Sequence, residues 1–283
     1  AGASLIRGRR VIAIEVIAGA AQLTFADSEP VRARSVILAC GANYSFQKRL
    51  GLGMPSTFLQ SAQLEIPAGR LGDVEIHFGS EIAPKGFAWA VPVRRSYGTF
   101  ARVGVMAASD PAAYFSRMIA RIRERWGVAI PDAAAPRRRM LPLGSVKRTY
   151  AERVLAVGDA AGLVKPTTGG GIYYSVVSGE IAAEVLGSRL AVDDLSAHAL
   201  REYEQRWRTR FQSEFTAQLA LRFVAQRMRD ADIDALFNLA TTDGILPLVR
   251  QTARFNRHRD FILALLRHQP ARRALFGRLA SSA

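Results

Sequence analysis

The segment Val154 to Ile172, VLAVGDAAGLVKPTTGGGI, constrains this chain more than any other. Residues 153–157 form an apolar run of strand length, and it ends at Gly158-Asp159. The small residues Ala160, Ala161 and Gly162 then allow a tight turn. Pro166, two threonines (Thr167 and Thr168) and three glycines (Gly169, Gly170, Gly171) lead into a helical pattern over about 172–189, opening at Ile172. Glycines let a backbone approach a flat or charged ligand closely. The N–H groups of the helix start, at about Gly171–Tyr173, offer a site for an anion or an electron-rich atom. Asp159 stands at the carboxyl end of the strand, where an ionised carboxylate can accept from sugar hydroxyls. The plain alternative is a glycine-rich strand-to-helix turn that binds nothing, and the two small-residue clusters at this spacing argue against it.

A length of 283 residues, with 49% hydrophobic and 22% charged residues, predicts two compact globular units with extensions. Strand patterns fall at 9–17, 21–26 and 34–39 with no helix between them, as in a small antiparallel ribbon followed by a buried sheet strand. Four more fall at 60–66, 73–78, 87–93 and 97–106. Asp110 before Pro111 starts a helix over 111–126, which Gly127 stops, with Phe115, Ile119 and Ile122 as its apolar stripe. From 194 onward the pattern is helical, with breaks expected near Asp243-Gly244, Pro247 and Pro270.

Several chemistries are excluded. The single Cys40 rules out an internal disulfide framework or a Cys-cluster zinc site, and is expected to be a small buried hydrophobe. The four histidines are scattered, and neither a nucleophile elbow nor a phosphate-loop lysine motif is present. The net charge of +15 comes from 39 Lys+Arg, of which only four are lysines. An arginine-rich composition explains this without a partner, whereas attraction to a diphosphate or an anionic membrane gives it a role. No nucleic-acid-binding motif accompanies it, so no nucleic acid is expected. No apolar stretch reaches membrane-spanning length, and no basic-then-apolar leader opens the residues given, so a cytoplasmic location is expected.

The stretch GDAAG followed by P-x-T-G-x-G-I resembles the geranylgeranyl reductase family, within the flavoprotein group shaped like p-hydroxybenzoate hydroxylase. The matching residues are Gly158, Asp159, Ala160, Ala161, Gly162, Pro166, Thr168, Gly169, Gly171 and Ile172, with Gly170 between them. The resemblance implies FAD as cofactor, with Asp159 at its ribityl–pyrophosphate part and Pro166 to Ile172 against the flavin ring. GFAWAVP, residues 86–92, is similar to the family's aromatic-x-Trp-x-Phe-Pro box. Phe87, Trp89 and Pro92 fit it, and Val91 replaces the usual Phe. In a strand Phe87, Trp89 and Val91 share one face, which makes either an apolar wall for a polyprenyl substrate or ordinary sheet core. Residues 36–53 resemble more weakly the group's A-D-G-A-N turn: Cys40 stands at the Asp position, which puts direct reduction by NAD(P)H in doubt.

The resemblance covers about residues 1–190 and implies an α/β (α+β) chain. Its parts would be 1–56 and 146–190 of a Rossmann-like FAD-binding domain, an antiparallel-sheet substrate domain at 57–145 and a C-terminal helical region at 191–283. The G-x-G-x-x-G fingerprint is missing, so the expectation is an N-terminally truncated piece. The implied activity is reduction of carbon–carbon double bonds in an isoprenoid lipid or prenyl diphosphate, with NAD(P)H or ferredoxin as electron donor. No catalytic residue can be named. The alternatives are a flavin monooxygenase or halogenase, or a non-catalytic remnant. Residues 245–283 carry eight arginines against Asp260; with Leu248, Thr252, Phe255, Ile262 and Leu266 near one helical side, they read as a candidate surface for an anionic inner membrane or as a solvated basic face.

Overall fold

The computed structural model describes residues 2–70, 72–128, 130, 134–242 and 245–276. The expected break at Asp243-Gly244 and the last arginine, Arg278, lie outside them. In chain order the strands are β1 (Val11–Ile17), β2 (Ala20–Phe25), β3 (Val31–Ala33), β4 (Val36–Leu38), β5 (Phe58–Pro67), β6 (Glu75–His77), β7 (Phe87–Arg95), β8 (Gly98–Ala107), β9 (Arg137–Pro142), β10 (Tyr150–Ala151) and β11 (Val154–Ala156). The helices are α1 (Pro111–Trp126), α2 (Ile172–Ala191), α3 (Ala197–Ala225), α4 (Asp230–Thr242), α5 (Ile245–Thr252), α6 (Arg259–Arg267) and α7 (Gln269–Phe276). The chain divides into two compact units, residues 1–57 with 142–212, and residues 58–141 with 213–283. The mixed α/β class with antiparallel sheets is as the sequence predicts.

In the first unit, β1, β2 and β3 form an antiparallel ribbon. Its first turn places Ala18 and Gly19 at φ 49° and 71°, the mirror-image geometry that suits right-twisted hairpins. A second sheet has the order β10-β11-β4, with β11 parallel to β4. All three residues of β11 are buried, as a continuous apolar run requires. Helix α3 fastens this sheet: the Tyr203 hydroxyl donates to Ala156 O at 2.8 Å, and Trp207 Nε1 donates to Thr149 Oγ1 at 2.9 Å. Leu143 N donates to Thr57 O at 2.9 Å, which joins the two places where the chain crosses between units.

The second unit holds an antiparallel sheet of order β6-β7-β8-β5-β9. Its inner face is lined with small residues (Ala62, Ala88, Ala90, Ala101), so α1 lies close, burying Phe115, Met118, Ile122 and Trp126. Proline in β7 is tolerated because β6 pairs only with Ala88–Ala90, leaving Pro92 beyond it on that side. The caps of α1 are those expected: Asp110 accepts from Ala113 N at 3.3 Å, and Gly127 takes the left-handed conformation at φ 54°.

Strand β9, RRRMLP, carries no strand alternation and exists because β5 offers an edge. The break expected near Pro270 falls at His268, between α6 and α7, and Pro270 lies in the first turn of α7, as Pro247 lies in the first turn of α5, where a missing N–H costs nothing. The basic C-terminal stretch is three short helices rather than one amphipathic helix. Glu214 enforces the break after α5 by accepting from the backbone N–H of His258 and of Arg259, the latter at 3.1 Å, at the start of α6. Of the expected stripe, Ile262 is buried and Phe255 is 86% exposed, so its members do not share one environment.

The cap of α1 gives a direct check. Asp110→Ala removes one accepted backbone N–H and is expected to cost about 1 kcal/mol, read as a lower denaturation midpoint with an unchanged slope.

Candidate functional site

The chain leaves β11 by continuing its ladder one residue further, with Val157 N donating to Leu38 O at 3.0 Å. Gly158 then turns at φ 54°, and residues Gly158–Ala161 make one 3-10 turn that Gly162 closes at φ 72°. Gly158 is also a point of close approach: a Cβ there would lie 2.4 Å from Ser175 Oγ on α2. Its N–H donates to Ser178 Oγ at 3.0 Å, so helix and strand end are locked together. Ala160 and Pro166 are buried, Thr168 and Gly170 are exposed. The loop closes on itself, since Lys165 N donates to Gly170 O at 3.0 Å and Gly169 N to Lys165 O at 2.8 Å.

This closure brings Gly171 against Asp159. A Cβ at Gly171 would lie 2.4 Å from Asp159 Oδ1, so any side chain there would have to push the carboxylate aside. The first bond of the helix ladder is Ser175 N to Gly171 O at 2.8 Å, so the N–H groups of Ile172 and Tyr173 precede that ladder. Ile172 is 86% exposed and Val176, one turn on, is exposed as well. The arrangement offers a half-buried carboxylate, unladdered backbone donors and a small apolar step within one turn. Burial raises the carboxyl pKa of Asp159 above its ordinary value.

Two residues that sequence reasoning passed over hold this turn. The Tyr44 hydroxyl donates to Asp159 O at 2.7 Å, and the fully buried Gln47 donates through Nε2 to both Asn43 O and Ala160 O, each at 3.1 Å. Their only signal was their place after the weakly matched glycine turn. Cys40 is not the buried hydrophobe expected; it is exposed in this turn, where its thiol donates to Asn43 O at 3.2 Å. Strand β4 ends at the buried Leu38, and Cys40 lies two residues beyond it, in the turn rather than in the sheet.

The aromatic stretch lies in the second unit. Along β7 Ala88 and Ala90 are fully buried, while Phe87, Trp89 and Val91 on the opposite face are half-buried, as is Pro92. Phe87 and Trp89 have ring centroids 5.7 Å apart. The row continues through Phe78, 6.0 Å from Phe87, to Phe237 on α4, 5.7 Å from Phe78. Asp230, the first residue of α4, fixes that helix by accepting from Ser80 N and Ser80 Oγ at 2.9 and 2.8 Å. Phe237 carried no local signal, since it is brought in from 150 residues away by this clasp.

The fold is that of a crystal structure of a geranylgeranyl bacteriochlorophyll reductase-like protein from Thermoplasma acidophilum, with a TM-score of 0.76 over 96% of this chain and 69% of that chain, at 20% identity. A halogenase in complex with FAD aligns at TM-score 0.58 and 14% identity, over 91% of this chain and 58% of that one. The chain belongs to the family whose model is described as lycopene cyclase protein, which matches residues 1–240. The likeness to geranylgeranyl reductases is borne out by digeranylgeranylglycerophospholipid reductase of Methanocaldococcus jannaschii, 30% identical over 221 residues, 73% of this chain and 54% of that protein. The chain thus spans about half the length of this relative. The family match runs on past residue 190, where the resemblance read from motifs ended, into the helices α3 and α4.

The half-buried Asp159 carboxylate has a stability consequence. A carboxyl whose pKa is raised by folding destabilises the folded state as pH climbs above its unfolded value, about 3.9. Asp159→Asn is therefore expected to raise the melting midpoint of the ligand-free chain at neutral pH. The difference should vanish in melts recorded below about pH 3.9.

Proposed function

We propose that the chain is part of an FAD-dependent oxidoreductase that reduces carbon–carbon double bonds of an isoprenoid chain. The apposition of Asp159 to Gly171 carries the cofactor assignment: a cradle that a single Cβ would fill is built beside an acceptor carboxylate. That donor and acceptor set fits FAD. Asp159 would accept from its sugar hydroxyls, and the N–H groups of Ile172 and Tyr173 would face an electron-rich edge of the ring. Gly158, Ala160 and Gly162 shape the turn, while Pro166, Thr168, Gly169 and Gly170 form the loop that presents it. When bound, FAD supplies hydride chemistry.

Phe87, Trp89, Val91 and Pro92 would bind the substrate. Their half-buried row suits an extended hydrocarbon, from which aromatic faces remove water at about 25 cal/mol per Å² of apolar surface. The relative's name, a reductase of a digeranylgeranyl lipid, supports the same class of substrate, and the family's name also carries an isoprenoid. The halogenase-like fold keeps one second reading, an oxygen-dependent flavoenzyme, which product formation under strictly anaerobic conditions would remove.

An anionic lipid surface is the proposed place of action. Its support is the seven arginines of residues 245–276 against Asp260, together with the exposed Phe255. Among the described residues no helix is long and apolar enough to cross a membrane. Co-sedimentation with anionic vesicles at low salt is the expected outcome, lost on removal of residues 245–283.

Two variants test the site. Asp159→Ala is expected to weaken FAD binding about 10- to 150-fold, the worth of a charge-assisted hydrogen bond of roughly 1.5–3 kcal/mol. Flavin titration of the variant beside the parent protein reads this directly, and unchanged affinity would remove the assignment. Trp89→Ala should impair turnover of long prenyl substrates while bound flavin stays near the parent level.

A further inference from the structure

Of the three tryptophans, Trp126 and Trp207 are 1% exposed, whereas Trp89 stays half-buried on the outer face of the sheet. What lies beneath it fixes its position. Trp89 pairs across the strands with Gly104 of β8. A Cβ at residue 104 would lie 2.2 Å from Trp89 Cζ2, 2.4 Å from Cε2 and 2.9 Å from Nε1. Non-bonded carbons meet at about 3.5–4.0 Å, so any side chain at 104 must lift the indole off β8. The backbone at Gly104 does not take a positive φ, so the strand itself has no need of glycine there. Glycine inside a strand weakens it, and its usual reason is the close approach of another group. Here that group is the indole. The two strands flanking β8, β7 and β5, leave Gly104 central in the sheet, where an ordinary β-branched residue would otherwise pack best.

We infer that Gly104 is a specificity-determining residue: it seats the Trp89 indole against the sheet and so sets how far the aromatic row Trp89–Phe87–Phe78 stands out, and how bulky an isoprenoid chain that row accepts. This rests on the proposed reading of the row as an isoprenoid surface. With the indole seated, the row is low and admits a chain along it. With a methyl group under the ring, the indole occupies the volume the chain would take.

The test compares the full chain with Gly104→Ala, using acrylamide quenching of tryptophan emission and binding of geranylgeraniol. Trp89→Phe supplies the signal of the two buried tryptophans for subtraction. Quenching of Trp89 is expected to rise in Gly104→Ala, and geranylgeraniol to bind about tenfold more weakly, equivalent to about 1.4 kcal/mol. A folded Gly104→Ala chain with unchanged quenching and unchanged affinity overturns the inference. Wild-type protein that fails to bind geranylgeraniol, beside a Gly104→Ala chain with raised quenching, overturns the isoprenoid reading and supports the seat. Should Gly104→Ala not fold, the double variant Gly104→Ala with Trp89→Leu decides: recovery of folding supports the indole as the group that excludes a side chain, and continued failure to fold overturns it.

Discussion

The parallel pairing of β4 with β11 is the contact on which the first unit depends. Val36, Ile37 and Leu38 meet Val154, Leu155 and Ala156, although more than a hundred residues separate them in the chain. A parallel pair cannot be closed by a hairpin, so the intervening chain must leave and come back. Because β4 and β11 run the same way, both strands deliver their carboxyl ends to one edge. There the turn of Cys40–Gln47 meets the turn of Gly158–Gly162, and Gln47 and Tyr44 tie the two together. The carboxyl ends of parallel strands are where α/β folds place their ligands, and the backbone donors of α2 begin at that same edge.

Missing side chains do as much here as present ones. Gly158 admits Ser175, Gly171 admits the Asp159 carboxylate and Gly104 admits the Trp89 indole, each at a distance that a Cβ would forbid. Proteins are packed to crystal-like density, so a hydrogen in place of a methyl group decides which neighbour can enter. The carboxylate held this way is partly desolvated, which burdens the folded chain and prepares an acceptor for a donor from outside.

Signals that are local were legible in the sequence. Helix α1 starts and stops at its expected residues because Asp110, Pro111 and Gly127 each act within one turn. The strands β6 and β8 announced themselves through alternation, and β5 and β7 through β-branched or aromatic content. Strand β9 did not, since three arginines in a row become a strand only when an edge is at hand. The break after α5 was equally hidden: it is set by Glu214, a residue more than forty positions earlier. In the candidate site, the glycine turn was readable as a turn, whereas Phe78, Phe237, Gly104 and Gln47 gain their meaning from partners that only folding supplies. Cys40 is exposed because β4 ends two residues before it, and where a strand stops is set by its partner β11 rather than by local sequence.

The hydrogen bond between Leu143 N and Thr57 O brings together the two ends of the excursion that forms the five-stranded sheet. Seen from the first unit, those residues behave as an insertion with touching ends. Holding such ends together costs the host little whatever the length between them, because loop-closure entropy grows only logarithmically, by about 0.6 kcal/mol for each doubling. The sheet that carries the aromatic row can therefore lengthen, shorten or change its lining without straining the glycine turn. In this architecture the part that would choose the substrate is free to diverge, while the part that would hold the cofactor stays bound by its own packing.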